Sequence, residues 1–319
     1  MGDCVNFDPG EVDVGRAVLA VDVGGTKIAA GIVDGSGRML HATSRPTPNG
    51  SAESTFDGVR AAIHELMAAG ETPITAVGIA SAGPVDLRSG RVSPINIPGW
   101  QGFPLRDRVR ELLPGVPVEL AGDGLCMALG EHWAGAGRGS GSMLGMVVST
   151  GVGGGLVING RPHRGRTGNA GHVGHVVAEE DGWPCTCGGR GCVETVASGP
   201  NLVRWARLQG WLAPDHADAA HLAAAARAGD EIPRAAFRRG GRAVALAVVA
   251  TAVVCDLDLA VIGGGVAQAG DLLLDAVRET LAEHARLSFL DTLRVVPATL
   301  GGQAGLIGAA GLALGALAV

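Results

Sequence analysis

Ala17-Val18-Leu19-Ala20-Val21-Asp22-Val23-Gly24-Gly25-Thr26-Lys27 is an apolar run broken by one aspartate and closed by two glycines, a threonine and a lysine. A buried strand that ends this way lets backbone N–H groups approach a phosphate closely, with Thr26 and Lys27 as further donors. Asp22 supplies an oxygen for Mg²⁺, directly or through water. A plain turn is the alternative reading of the glycine pair. The spacing is not that of a Walker loop. A dinucleotide fingerprint would need a helix next, whereas residues 28–33 read as a second strand. Lys27 is also the only lysine in the chain.

Two further stretches repeat this logic. An apolar run at 143–149 leads into a loop, Thr150-Gly151-Val152-Gly153-Gly154-Gly155, and one at 259–262 ends in Gly263-Gly264-Gly265. Three strand-to-glycine loops together favour nucleotide phosphates as the ligand. Other strands are expected at 37–41, 76–80 and 116–120. Helical spacing covers 54–69 (through Val59, Ile63 and Met67), 125–133, most of 200–254, and 272–284. Strands alternating with helices indicate α/β layering. A smaller N-terminal domain is expected over 1–120 and a larger one over 121–306, with a terminal helix at 307–319 packing back on the first.

The 319 residues are 47% hydrophobic and 18% charged, with 53 glycines and a net charge of −6. That composition excludes a disordered chain. It offers no basic excess for nucleic-acid phosphates. The apolar runs at 243–255 and 304–319 are too short to span a bilayer. Residues 1–15 form an acidic leader without the pattern of a signal peptide. The expectation is a soluble, cytoplasmic protein.

Six cysteines are too few for a disulfide scaffold of this length, yet three of them, Cys185, Cys187 and Cys192, crowd into eight residues. With His175 ten residues upstream they supply three sulfurs and a nitrogen for a closed, structural zinc site. Cys4, Cys126 and Cys255 read as inert thiols, and the Arg clusters at 161–166 and 238–242 as solvated faces. Asp123 stands between two glycines at a strand end. There it suits either a general base in phosphoryl transfer or the cap of the following helix. Glu194, just after the last cysteine, is placed to contact a polar substrate or to start a helix.

The combination resembles the ROK family of bacterial sugar kinases and sugar-responsive repressors, from about residue 17 to 319. The resemblance rests on 22–27, Ala82-Gly83-Pro84-Val85-Asp86, Asn96-Ile97-Pro98-Gly99-Trp100, 150–155, Gly174-His175 and 185–194. It implies a two-domain actin/hexokinase-like (ribonuclease H-like) α/β fold with the active site in the interdomain cleft. It also implies ATP, catalytic Mg²⁺, structural Zn²⁺, and a homodimer or homotetramer. By position it makes Asp123 the base that deprotonates a sugar 6-hydroxyl. Gly83, Asn96, Gly122, His172, His175 and Glu194 would surround the sugar, with one ring nitrogen of His175 on zinc and the other on the sugar. Asp22, Gly24, Gly25, Thr26, Lys27, Thr150, Gly151, Gly153 and Gly263–Gly265 would hold the nucleotide.

Two positions depart from the family pattern. Asn usually precedes the catalytic Asp, where this chain has Gly122; Glu usually stands three residues before the zinc His, where it has His172. Both lie around the sugar 3-hydroxyl in glucose-using members. Their joint loss weakens plain glucose and leaves room for another group at carbon 3. The specific expectation is a kinase for 3-amino-3-deoxyglucose (kanosamine); the alternatives are an ordinary glucokinase or an N-acetyl-hexosamine kinase. A non-catalytic sugar-sensing regulator is a different class. Its helix-turn-helix would need about 60–80 residues ahead of the first loop, and only 16 precede Ala17.

Overall fold

A computed structural model of the chain describes residues 17–69 and 72–317. The acidic leader and Cys4 lie outside the described residues. Strands β1 (Ala17–Val23), β2 (Lys27–Asp34), β3 (Met39–Pro46) and β4 (Ile74–Ser81) come first, with α1 (Ala52–Ala69) between β3 and β4. A small hairpin, β5 (Val85–Asp86) and β6 (Arg91–Val92), leads to α2 (Leu105–Leu112), β7 (Val118–Gly122) and α3 (Asp123–Ala134). Then follow β8 (Met143–Val148), β9 (Val152–Ile158), β10 (Arg161–His163) and the helices α4 (Val193–Ala197), α5 (Gly199–Leu208), α6 (Ala219–Arg227) and α7 (Glu231–Cys255). Strand β11 (Leu259–Gly263), helix α8 (Asp271–His284), strand β12 (Arg294–Pro297) and helix α9 (Ala304–Leu317) complete the chain.

The two large sheets share one topology, β3-β2-β1-β4-β7 and β10-β9-β8-β11-β12. In the first, β1 pairs antiparallel with β2 and parallel with β4, which pairs parallel with β7. In the second, β11 runs parallel to both β8 and β12, and β9 and β10 form an antiparallel hairpin. Packing divides the chain into two compact units. One holds the described residues of 17–139, 155–170 and 302–317; the other holds 140–154 and 171–301. The first crossing therefore falls at 139/140 rather than near 120, because α3 packs with the first unit.

The reason is a set of backbone-to-backbone contacts. A Cβ at Gly130 of α3 would strike the Ala304 carbonyl oxygen, one at Gly308 of α9 the Cys126 carbonyl oxygen, and one at Gly78 of β4 that of Ala309. Only glycine permits such approach, so α9 lies directly on β4 and α3. On the opposite face α1 buries Phe56, Val59, Ile63 and Leu66 at helical spacing. Met67, expected on that face, is instead 37% exposed. Trp100 is fully buried, stacked on Phe103 at 4.5 Å, with its Nε1–H donated to the Ala52 carbonyl.

In the second unit α7 is the central helix. Asp230 caps its start by accepting from the Ile232 N–H, and Asp256, at φ 51°, ends it. Phe237, Val244 and Val248 on α7 are fully buried. No helix among the described residues is long and apolar enough to cross a membrane.

The expected strand at 37–41 lies later, at Met39–Pro46. The glycine stretch after Thr150 is also shorter as a loop than expected. Strand β9 begins at Val152, so Gly153, Gly154 and Gly155 are strand residues. A Cβ at Gly154 would come within 2.7 Å of the Gly145 carbonyl oxygen and one at Gly155 within 2.6 Å of the Leu125 nitrogen, a glycine-in-strand signature of close backbone approach.

Candidate functional site

Strands β1, β4 and β7 are parallel, so their carboxyl ends share one edge of the sheet. That edge is where open α/β sheets bind ligands. Asp22 aligns with Ala80 of β4, Ala80 with Ala121 of β7, and Ser81 with Gly122. The chain thereby brings Asp22, Gly83, Gly122 and Asp123 to one edge of the first unit. Asp123, exposed, is the first residue of α3, and its Oδ1 accepts from the Gly124 N–H at 2.7 Å. Gly122, not Asp123, holds the N-cap position, in ordinary extended backbone (φ −64°, ψ 145°) with nothing within 4 Å of where a Cβ would stand.

Burial, and then the Asp123 carboxylate, push Asp22 up to about 7 against the pull of Lys27. The half-buried side chain binds its proton more tightly folded than unfolded. This group's contribution to stability is therefore present below about pH 4 and lost as pH rises to about 7. A carboxyl held at such a cost suits a cation or phosphate-bound metal nearby. The same environment, burial first and then Asp22 and Asp123, drives the fully buried Cys126 thiol far up, leaving it a small apolar side chain.

The first glycine loop is a tight β1–β2 connection. Gly24 donates to the Lys27 carbonyl at 2.9 Å, and Thr47 Oγ1 donates to the Gly24 carbonyl at 2.7 Å. A Cβ on Gly25 would meet the Asn96 side chain at 2.6 Å, so Gly25 and Asn96 are neighbours. Thr26 and Lys27 are exposed.

In the second unit the carboxyl ends of β8 and β11 are likewise adjacent, Val147 aligning with Gly263. Gly264, at φ +95°, lies against the Val148 carbonyl, and Val266 donates to that carbonyl at 3.0 Å. The Gly263–Gly265 loop therefore sits beside the turn that carries Thr150 and Gly151. Glu194, in the first turn of α4, accepts from the Val152 N–H through Oε2 at 2.9 Å.

His175, Cys185, Cys187 and Cys192 come together with all four ligand atoms within 4.8 Å of one another. Cys187 Sγ and Cys192 Sγ are 3.8 Å apart, and Cys185 Sγ is 3.7 Å from His175 Nδ1. The edge of a tetrahedron with Zn–S bonds of about 2.3 Å is about 3.8 Å. The donor set and its spacing fit a four-coordinate metal. His175 turns Nδ1 toward the sulfurs, leaving Nε2 for another partner. His172, exposed, stands just before the 3-10 turn Val173–His175, its ring 6.3 Å from that of His175.

Three participants escaped the reading of the sequence. Asn169 pairs with β5 like a strand, its Oδ1 accepting from the Val85 N–H at 2.9 Å and its Nδ2 donating to the Val85 carbonyl at 2.8 Å. It thereby pins the segment just after Gly83-Pro84. Gly305, in the first turn of α9, leaves room for the Asp22 carboxyl, whose Oδ2 would lie 2.5 Å from a Cβ there. Thr47 holds the first glycine loop. None of the three has a motif of its own; each is visible only as a tertiary contact.

The ROK family model matches residues 18–316. The chain is 36% identical over 312 residues to a glucokinase of Thermotoga maritima, covering 92% of this chain and 96% of that protein. It is 34% identical over 293 residues to an N-acetylmannosamine kinase of Yersinia pseudotuberculosis, covering 92% and 96%. Among solved structures, a ROK family glucokinase from Streptomyces griseus in complex with glucose and AMPPNP superposes with a TM-score of 0.81 at 36% identity, covering 93% of this chain and 99% of that one. The duplicated sheet order is that of the actin/hexokinase-like fold these structures share. The chain belongs to the ROK family and is a glucokinase-like sugar kinase.

Proposed function

We propose that this kinase transfers the γ-phosphoryl group of ATP to the 6-hydroxyl of a glucose-type hexose, with 3-amino-3-deoxyglucose as its preferred substrate. The observation that carries the transfer chemistry is the placement of Asp22 at the carboxyl end of β1 and of Asp123 just after β7, on one edge of the first sheet. One carboxyl is held protonated up to about pH 7 and the other exposed at a helix start. Asp123 is the base: its carboxylate accepts the hydroxyl proton as the sugar oxygen attacks the γ-phosphorus and the bond to the bridging oxygen of ADP breaks. From the first unit, Gly24, Gly25, Thr26 and Lys27 offer donors to phosphate. Within the second unit, Thr150 and Gly151 offer donors of the same kind beside the Gly263–Gly265 loop, and Gly153 lies inside β9.

Mg²⁺, when bound with ATP, neutralises phosphate charge, and Asp22 is the carboxylate placed to hold it. Zinc on His175, Cys185, Cys187 and Cys192 would have no open position and so serves structure. So held, the ring of His175 would present Nε2 as a donor to a sugar hydroxyl. Gly83, Asn96 and Glu194 complete the set of sugar contacts.

Two features support the 3-amino sugar. Gly122 leaves space beside Asp123 where the family pattern has an amide. His172 places an imidazole next to His175 where the family pattern has a carboxylate, a different hydrogen-bonding group for carbon 3. Each removes a hydroxyl partner that glucose would need.

The test is ADP release with ATP, Mg²⁺ and a panel of glucose, 3-amino-3-deoxyglucose, glucosamine, N-acetylglucosamine, N-acetylmannosamine and mannose. A kcat/KM at least ~10-fold higher for the 3-amino sugar than for glucose is expected. The double variant Gly122→Asn, His172→Glu should reverse that order. A wild-type preference for glucose would make the protein an ordinary glucokinase, and one for an N-acetylated sugar would move it beside the N-acetylmannosamine kinases.

A further inference from the structure

Glu194 does more than face a sugar. It lies two residues after Cys192, which holds the N-cap position of α4, and its Oε2 accepts from the Val152 N–H at 2.9 Å. The Gly151 backbone approaches the same oxygen so closely that a Cβ there would stand 2.7 Å from it. The turn that carries Thr150 is held at three points. Ser149 donates to the Gly151 carbonyl at 2.8 Å, Gly199 donates to the Ser149 carbonyl at 2.8 Å, and Glu194 takes the Val152 N–H. Two of these are backbone contacts; the third is the one side chain, and it is charged.

We propose that Glu194 is a positioning residue for the 149–152 turn, setting its backbone before the nucleotide arrives, so that the geometry of the cysteine loop reaches the phosphate loop through one carboxylate. A charged acceptor on a backbone donor holds its partner more firmly than a neutral one. Donors fixed in advance bind phosphate without an ordering cost. The second carboxylate oxygen remains for a sugar hydroxyl, so both substrates bear on one side chain. The inference rests on the reading of the 149–152 turn as part of the nucleotide site.

The experiment is calorimetric binding of AMP-PNP with Mg²⁺ to the metal-loaded protein with no sugar present, a condition a sugar contact alone would not influence. Glu194→Ala should raise the nucleotide Kd about tenfold. Glu194→Gln keeps an oxygen that accepts from Val152 but loses the charge, and should fall between wild type and Glu194→Ala in nucleotide Kd while raising the KM for sugar. Gly151→Ala should weaken nucleotide binding by itself and add little in the Glu194→Ala background, since both changes remove one contact. An unchanged Kd in Glu194→Ala of normal metal content overturns the inference alone. Additive losses in the double variant do the same, and Gly151→Ala carries the test if Glu194→Ala does not fold. Wild-type protein that binds no nucleotide overturns the nucleotide reading of the turn, and the inference with it.

Discussion

Asp123→Asn should lower kcat about a thousand-fold while leaving sugar binding within a few-fold of wild type. The amide keeps the size and polarity of the side chain at the start of α3, where the Asp123 Oδ1 accepts from the Gly124 N–H, so the local fold persists. What it removes is the proposed proton acceptor. The sugar hydroxyl must then lose its proton to water, at a barrier higher by about 4 kcal/mol for that factor in rate. Asp22→Asn provides the comparison. It removes the half-buried carboxyl that is costly to ionise, and should reduce kcat through the Mg²⁺ dependence. Loss of sugar binding in Asp123→Asn with unchanged turnover at saturation would contradict the role of the base; single-turnover kinetics and sugar titration separate the two.

Cys192→Ser, or exhaustive chelation, should lower the Tm by about 10 °C or more and abolish activity, because a closed metal site contributes folding free energy directly. The physical basis is that the tip of the loop buries little and is tied by its own short-range contacts. Residues 186–190 are exposed, and the backbone is held by single contacts such as Cys185 N–H to the Gly189 carbonyl at 2.9 Å and Gly191 N–H to the Trp183 carbonyl at 2.9 Å. Trp183 is a further anchor, with the Arg204 guanidinium 4.0 Å above its ring and Arg239 at 5.5 Å. Losing the metal should free Glu194 and His175 together, so activity falls before the unit unfolds. Elemental analysis that finds no zinc in active protein, or a Tm unaffected by Cys192→Ser, would remove the metal from the account.

The parts of this molecule that were legible in the chain are those written as local pattern. The run 17–23 and its glycine pair gave β1 and the first loop. The cysteine spacing with His175 gave a cluster whose four ligand atoms do meet. The stretch 150–155 misled because glycine has no side chain to show a strand's alternation. Its strand character at β9 goes with backbones pressed against Gly145 of β8 and Leu125 of α3. Helix α2 was missed for a different reason: it is short and mostly polar, burying just Leu105 and Val109. Contacts such as Glu194 with Val152, 42 residues apart, or Asp22 with Gly305, leave no local trace. Both belong to strand ends and helix starts that meet only once the sheet order is known.

Transfer of a phosphoryl group from ATP to a sugar 6-hydroxyl is visible in the phosphorus NMR spectrum of the product. Protein incubated with ATP, Mg²⁺ and 3-amino-3-deoxyglucose should yield ADP and sugar phosphate in equal amounts, with the new phosphorus resonance coupled to the carbon-6 protons. ADP with inorganic phosphate and no sugar ester, or phosphate on another oxygen of the sugar, would contradict it.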